Sequence, residues 1–246
     1  MTGLINRAWR VVFDGGSLSK ADLEKRYALD KIQKFEAVLS KHGRSLRQFS
    51  SILDFGCNRG RLTAPLFSLF PGVRISGCDV AGDAIEVCRQ RHPCGHFFTN
   101  NAAPPLNLPD EQYDLIFSYS VFTHLSELNH KAWLKEHARL LKPGGVLLHT
   151  THSYECLRRL LIFSPESIEK YMLPEPTEDL IRSKRGYHYV AYDPSTPEYG
   201  LTIISEEYLR TVWPKESGLK LLDVAVGAVE AYPEGCQDIV VLVKET

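Results

Sequence analysis

The chain has 246 residues, 43% hydrophobic and 24% charged, enough to bury the core of one α/β domain, and a soluble globular protein is expected. Lys and Arg number 29 against 30 Asp and Glu, so no global field draws in a polyanion, and nucleic acid is disfavoured as a partner. The six cysteines stand singly, which fits reduced thiols in the cytoplasm and suggests no zinc site; there is no signal-peptide core, and no apolar run approaches the ~20 residues of a membrane span.

Ser19 followed by Asp22 forms a capping-box pattern, and Ala28, Ile32, Phe35 and Leu39 repeat at helical spacing until Gly43. Residues 1–47 are therefore expected to form a helical cap. Next, strand-like and helix-like segments alternate: SILDF, RLTAPLFSLF, VRISGCD, AGDAIEVCRQRH with Ala81, Ile85 and Cys88 on one face, GHFFT, and YDLIFSYS. A long helix aligning Leu134, Ala138 and Leu141 follows; Lys142-Pro143-Gly144-Gly145 stops it, and VLLHT is a further strand. Continuously apolar strands separated by helices predict a parallel sheet covered on both faces. Residues 153–204 are polar and rich in Pro and Tyr, too long for a plain connection, and read as an insertion or lid. In 205–246, a helix precedes GLKLLDVAVGAV and QDIVVLVK, joined by AYPEGC without room for a crossover, which predicts an antiparallel hairpin. The fold class expected is doubly wound, Rossmann-like α/β: seven mostly parallel strands closing in that hairpin, as one domain with its core at 48–152.

In such a sheet ligands lie beyond the carboxyl ends of the strands, at the first strand-to-helix turn. Here the turn is Asp54-Phe55-Gly56-Cys57-Asn58-Arg59-Gly60. A dinucleotide fingerprint starting at Gly56 needs glycine where Asn58 and Arg61 stand, and no Gly-Lys-Ser/Thr of a phosphate-cradling loop occurs. The turn instead resembles the first motif of the class I S-adenosylmethionine-dependent methyltransferases, acid-x-Gly-x-Gly-x-Gly, with Asn58 at the middle glycine. Asn is the non-glycine residue best able to adopt a left-handed backbone there.

That resemblance implies S-adenosylmethionine as cofactor. It implies binding at Asp54, Gly56, Cys57, Asn58 and Gly60, a ribose-holding acid at Asp79 followed by Val80, adenine contacts at Asn101 and Ala102, and passage of Ser118 and Tyr119 by the methionine end. Asp79 could alternatively cap the next helix. A general base, if one is used, would be His124, His149 or His152, with His152 preferred because it lies beyond its strand. The acceptor is expected to be a small or sugar-like molecule, closed over by Arg182, Lys184, Arg185, Tyr187, His188, Tyr189 and Tyr192. An oxidoreductase on a related sheet and a non-catalytic cofactor-binding module remain alternatives.

Overall fold

The computed structural model describes residues 19–163, 177–183, 185–231 and 235–246. Residues 1–18 of the expected cap, Lys184, and the turn at 232–234 lie outside them.

Helix α1 (Lys20–Ser40) starts where the capping box placed it: the Ser19 hydroxyl accepts from the Asp22 N–H and the Asp22 carboxylate accepts from the Ser19 N–H. The first half of the sheet is then laid down as β1 (Ser51–Phe55), α2 (Thr63–Leu69), β2 (Arg74–Asp79), α3 (Gly82–Arg91), β3 (His96–Thr99) and β4 (Tyr113–Ser118). Helix α4 (Glu127–Leu140) follows, then β5 (Leu141–Thr151), α5 (Tyr154–Phe163), α6 (Thr177–Ser183), β6 (Tyr187–Ala191), β7 (Gly200–Ile204), α7 (Glu206–Ser217), β8 (Lys220–Ala231) and β9 (Gly235–Val243). The seven-stranded sheet has the order β3-β2-β1-β4-β5-β9-β8. Its first five strands pair in parallel and β9 runs antiparallel to both β5 and β8, as the apolar runs and the short terminal connection predict.

Both faces are covered. On one, Ile32, Phe35 and Leu39 of α1 pack on Ile52, Phe117 and Val241; on the other, Trp133 of α4 and Trp213 of α7 meet Leu53, Ile116 and Val240. Both tryptophans are fully buried. Alternate residues of β1 thus feed opposite cores, which is why SILDF carries no exposed position.

Two boundaries differ from expectation. Helix α4 ends at Leu140, and Leu141 already belongs to β5. The Lys142–Gly145 stretch is a bulge inside β5, where the pairing jumps from Tyr113↔Leu141 to Leu115↔Val146. Pro143 has no N–H to give and Gly144 is left-handed at φ +77°, so the chain kinks without leaving the sheet. The segment read as a lid is also more regular than its composition suggests. It holds α5, α6 and a separate antiparallel hairpin, β6–β7, in register from Tyr187↔Ile204 to Ala191↔Gly200.

Candidate active site

The turn after β1 is shaped by three left-handed residues. Gly56 (φ +77°) donates its N–H to the Cys78 carbonyl at 2.8 Å, and Cys57 shares that acceptor at 3.0 Å, stitching the turn to the end of β2. A Cβ on Gly56 would stand 2.2 Å from Val121 Cγ2, so the approach of the segment after β4 also demands glycine. Asn58 adopts φ +49°, the conformation its side chain tolerates best among non-glycine types. Gly60 (φ +77°) faces Cys88 Sγ, 3.2 Å from where its Cβ would be.

Asp79 joins this turn to the next one. One carboxylate oxygen accepts the Asn58 N–H at 2.7 Å and the other the Ala81 N–H at 2.9 Å. Ala81 is itself the N-cap residue of α3, which has no side-chain cap, so Asp79 braces two loops and does not cap the helix. Beside it Val80 is 59% exposed, an apolar surface at the lip. The Asn100 N–H donates to the Asp79 carbonyl, and its side-chain amide donates to the Asn101 carbonyl at 2.7 Å. The buried Asn100 Oδ1 has no hydrogen-bond partner. Asn101 and Ala102 are exposed, with the Ala102 carbonyl accepting from the Trp133 indole at 2.9 Å. Asn100 and Val121 are thus site-shaping residues that motif spacing did not single out.

Two expected cofactor residues lie beneath the crevice. Asp54 is buried and accepts the Thr63 hydroxyl at 2.5 Å. Burial pushes its carboxyl up to about 7, against the Thr63 hydrogen bond and with a small contribution from Asp79. Ser118 is fully buried, with its hydroxyl 2.7 Å from His149 Nδ1; only its main chain can face a ligand. Tyr119 is half-buried. Its hydroxyl accepts from Tyr27 of α1 at 2.7 Å, and the Arg61 guanidinium lies 4.3 Å over the Tyr27 ring. The amino-terminal helix therefore closes the crevice at the end of β4.

The three candidate bases separate. His149 does not reach the crevice: it is fully buried, stacked on Phe122 at 4.0 Å between ring centroids, and its Nε2 pairs with His137 Nδ1 at 3.1 Å. Burial, with His137 and His130 nearby, holds it neutral. His124 and His152, by contrast, come together under the β6–β7 hairpin. His124 lies in the turn before α4, whose N-cap is Ser126. Its Nδ1 is 2.9 Å from the Gly200 carbonyl and 3.2 Å from the Tyr192 hydroxyl. The His152 ring is bonded to the Thr202 carbonyl; burial and His124 hold it down to about 3. Backbone bonds then seat β7 on this edge: Gly200 and Thr202 donate to the carbonyls of His124 and Thr123, and Ile204 to that of His152, at 2.8–3.0 Å. The Tyr187 hydroxyl reaches the Leu125 carbonyl at 2.8 Å. Of the remaining residues expected to close over the acceptor, Tyr189 and His188 lie on β6 and Arg182 on α6, with Arg185 between them.

A doubly wound sheet with a glycine-bearing cradle across the carboxyl ends of β1, β2 and β3, braced by one acidic strand end, defines a Rossmann-like fold, in which ligands lie beyond the carboxyl ends of the strands. The cradle lies within residues 53–147, which match a family model described as methyltransferase domain. The chain is 30% identical to a fatty-acid O-methyltransferase of Mycolicibacterium smegmatis over 55% of its own length and 47% of that protein's. It is 33% identical to a probable tRNA methyltransferase 9B of Homo sapiens over 52% of its length and 29% of that protein's. It thus spans half or less of these curated relatives. A SAM-dependent methyltransferase from Methanosarcina mazei shares the fold, with a TM-score of 0.59 at 19% identity over 84% of this chain and 97% of that one. Among the described residues, no helix is long and apolar enough to cross a membrane.

Proposed function

We propose that the protein transfers a methyl group from S-adenosylmethionine to an oxygen or nitrogen of a small-molecule or sugar-like acceptor, with the domain, α1 cap and hairpin working as one unit. The observation that carries this reading is the Asp79 brace: a partly exposed carboxylate fixed by the Asn58 and Ala81 N–H groups, with the left-handed Gly56 and Gly60 in the same turn as Asn58. That cradle fits an adenosyl ligand, since Asp79 can accept from a ribose diol while Val80 offers apolar surface to a base. The unpartnered Asn100 Oδ1 supplies a further acceptor beside Asn101 and Ala102. Gly56, Cys57, Asn58 and Gly60 supply close main chain toward the amino-acid end. Asp54, sealed by Thr63, holds the turn from below.

When bound, the cofactor supplies a methyl group already made electrophilic by its sulfonium. The protein's task is to align the acceptor and exclude water. Alignment is worth ~7–11 kcal/mol, whereas a general base adds about 3–6 kcal/mol, so positioning dominates. The Tyr27–Tyr119 pair and the hairpin are the elements suited to it. Of the histidines, His124 is the preferred base: its Nδ1 points to the Gly200 carbonyl, which leaves Nε2 as the ring's acceptor. Burial lowers both His124 and His152, the latter to about 3, and His149 serves to hold Ser118.

A small acceptor is supported by the balanced charge and by the relative named as a fatty-acid O-methyltransferase. The test is transfer of label from methyl-labelled S-adenosylmethionine to a panel of carboxylic acids, hydroxylated small molecules and tRNA. Label in a small molecule, lost in His124→Ala with cofactor affinity retained, supports the assignment; label in tRNA alone overturns it.

A further inference from the structure

Away from the crevice, α5 and β9 bring two cysteines together. Cys156 and Cys236 are free thiols, nearly buried, with their sulfurs 2.8 Å apart; a disulfide bond is about 2.05 Å long. The surroundings form a built site. Cys156 Sγ lies 3.5 Å from Asp238 Oδ1, and that oxygen also accepts from the Ser153 hydroxyl at 3.1 Å and the Gly227 N–H at 2.7 Å. Asp238 is fully buried, and its Oδ2 finds no hydrogen-bond partner. Gly227 sits at φ +60° where the pairing of β8 with β9 shifts between Ala225 and Val229. A Cβ there would stand 3.2 Å from the Arg159 guanidinium carbon. The missing side chain therefore admits a cation to the thiol pair, while the bulge amide fixes a carboxylate at its other side.

We infer that Cys156 and Cys236 form a thiol-oxidation site at which a hydroperoxide converts the pair into a reversible disulfide tying α5 to β9. Cys236 is the attacking sulfur: the charge of Arg159, which reaches the pair at Gly227, favours its thiolate, whereas Cys156 lies against the Asp238 carboxylate that takes up its proton. The Cys236 thiolate attacks one peroxide oxygen and the O–O bond breaks, giving a sulfenic acid and releasing water or an alcohol. Cys156 then attacks the Cys236 sulfur and passes its proton to Asp238. The S–S bond forms as the S–O bond breaks, and the departing oxygen leaves as water. In sum, two thiols lose two electrons and two protons, and one hydroperoxide is reduced. The site is independent of the acceptor reading, but it has a structural link to the hairpin. Helix α5 begins just after His152, and its Tyr154 and Leu157 pack on Leu201 and Ile203 of β7, so the bond would fix the root of the element roofing His124.

The test is peptide mapping of the full chain under non-reducing conditions after stoichiometric hydrogen peroxide. The expected product is a Cys156–Cys236 cross-link with loss of two hydrogens, reversed by dithiothreitol and accompanied by a rise in Tm. Arg159→Leu should slow its formation and Arg159→Lys retain it; in Cys156→Ser a sulfenic acid should be trapped at position 236. Oxidation confined to the exposed Cys94, or over-oxidation of Cys236 in the unaltered chain without a cross-link, overturns the inference. Because the mapping needs no variant, a variant that fails to fold leaves the test intact.

Discussion

Gly56→Ala tests the geometry of the cradle most sharply, because two separable penalties meet at that position. The backbone is left-handed at φ +77°, which costs a residue with a Cβ roughly 1–2 kcal/mol. The added carbon would also overlap Val121 Cγ2 at 2.2 Å, and forced overpacking costs ~1–3 kcal/mol. The single substitution should therefore destabilise the fold by about 2–5 kcal/mol. Val121→Ala removes the clashing methyl but leaves the dihedral unchanged. In a four-protein cycle measured by urea denaturation, the two changes should couple favourably by ~1–3 kcal/mol, leaving a residual penalty of roughly 1–2 kcal/mol that truncating Val121 cannot relieve. A coupling energy within about 0.5 kcal/mol of zero would refute the contact between the β1 turn and the segment after β4.

Further predictions concern the rest of the site. Asp79→Asn leaves one acceptor oxygen for two backbone donors and should cost about 1–3 kcal/mol in affinity for S-adenosylhomocysteine, read by calorimetry. Asn58→Gly should bind that ligand nearly as well as the unaltered chain, whereas Asn58→Val, β-branched at positive φ, should lose both stability and binding. His137 is held down to about 3 by burial, so the unfolded chain takes up its proton first as pH falls below ~6.5 and this residue's contribution to stability is lost on acidification. His137→Gln should therefore cost stability at pH 7 through the lost His149 bond, and the difference from the unaltered protein should shrink by about 2 kcal/mol at pH 5. Parallel unfolding curves at the two pH values, with an unchanged difference, would contradict it.

Where residue chemistry is local, the sequence was legible. The Ser19–Asp22 box, the left-handed Asn58 and the switch from parallel strands to a terminal hairpin follow from side-chain type and connection length alone. What stayed hidden depends on distant partners. Gly56 needs to be glycine partly because of Val121, and Tyr119 meets Tyr27, 92 positions away. His149 is a plausible base by position, yet it is enclosed because Ser118 and His137 arrive from β4 and α4 to pair with its two ring nitrogens. The β6–β7 hairpin lies inside the segment expected to be an insertion or lid, and its strands stay hidden there because β7 is buried throughout, against the turn after β4 and helix α5, and so shows no alternation.

The central claim is that the Asp79-braced turn holds S-adenosylmethionine, and titration calorimetry with S-adenosylhomocysteine measures it most directly. The account predicts saturable one-site binding to the unaltered protein, weakened at least tenfold in Asp79→Ala, with no comparable heat from NAD. Absence of heat from folded protein, or unchanged affinity in a folded Asp79→Ala variant, would contradict it.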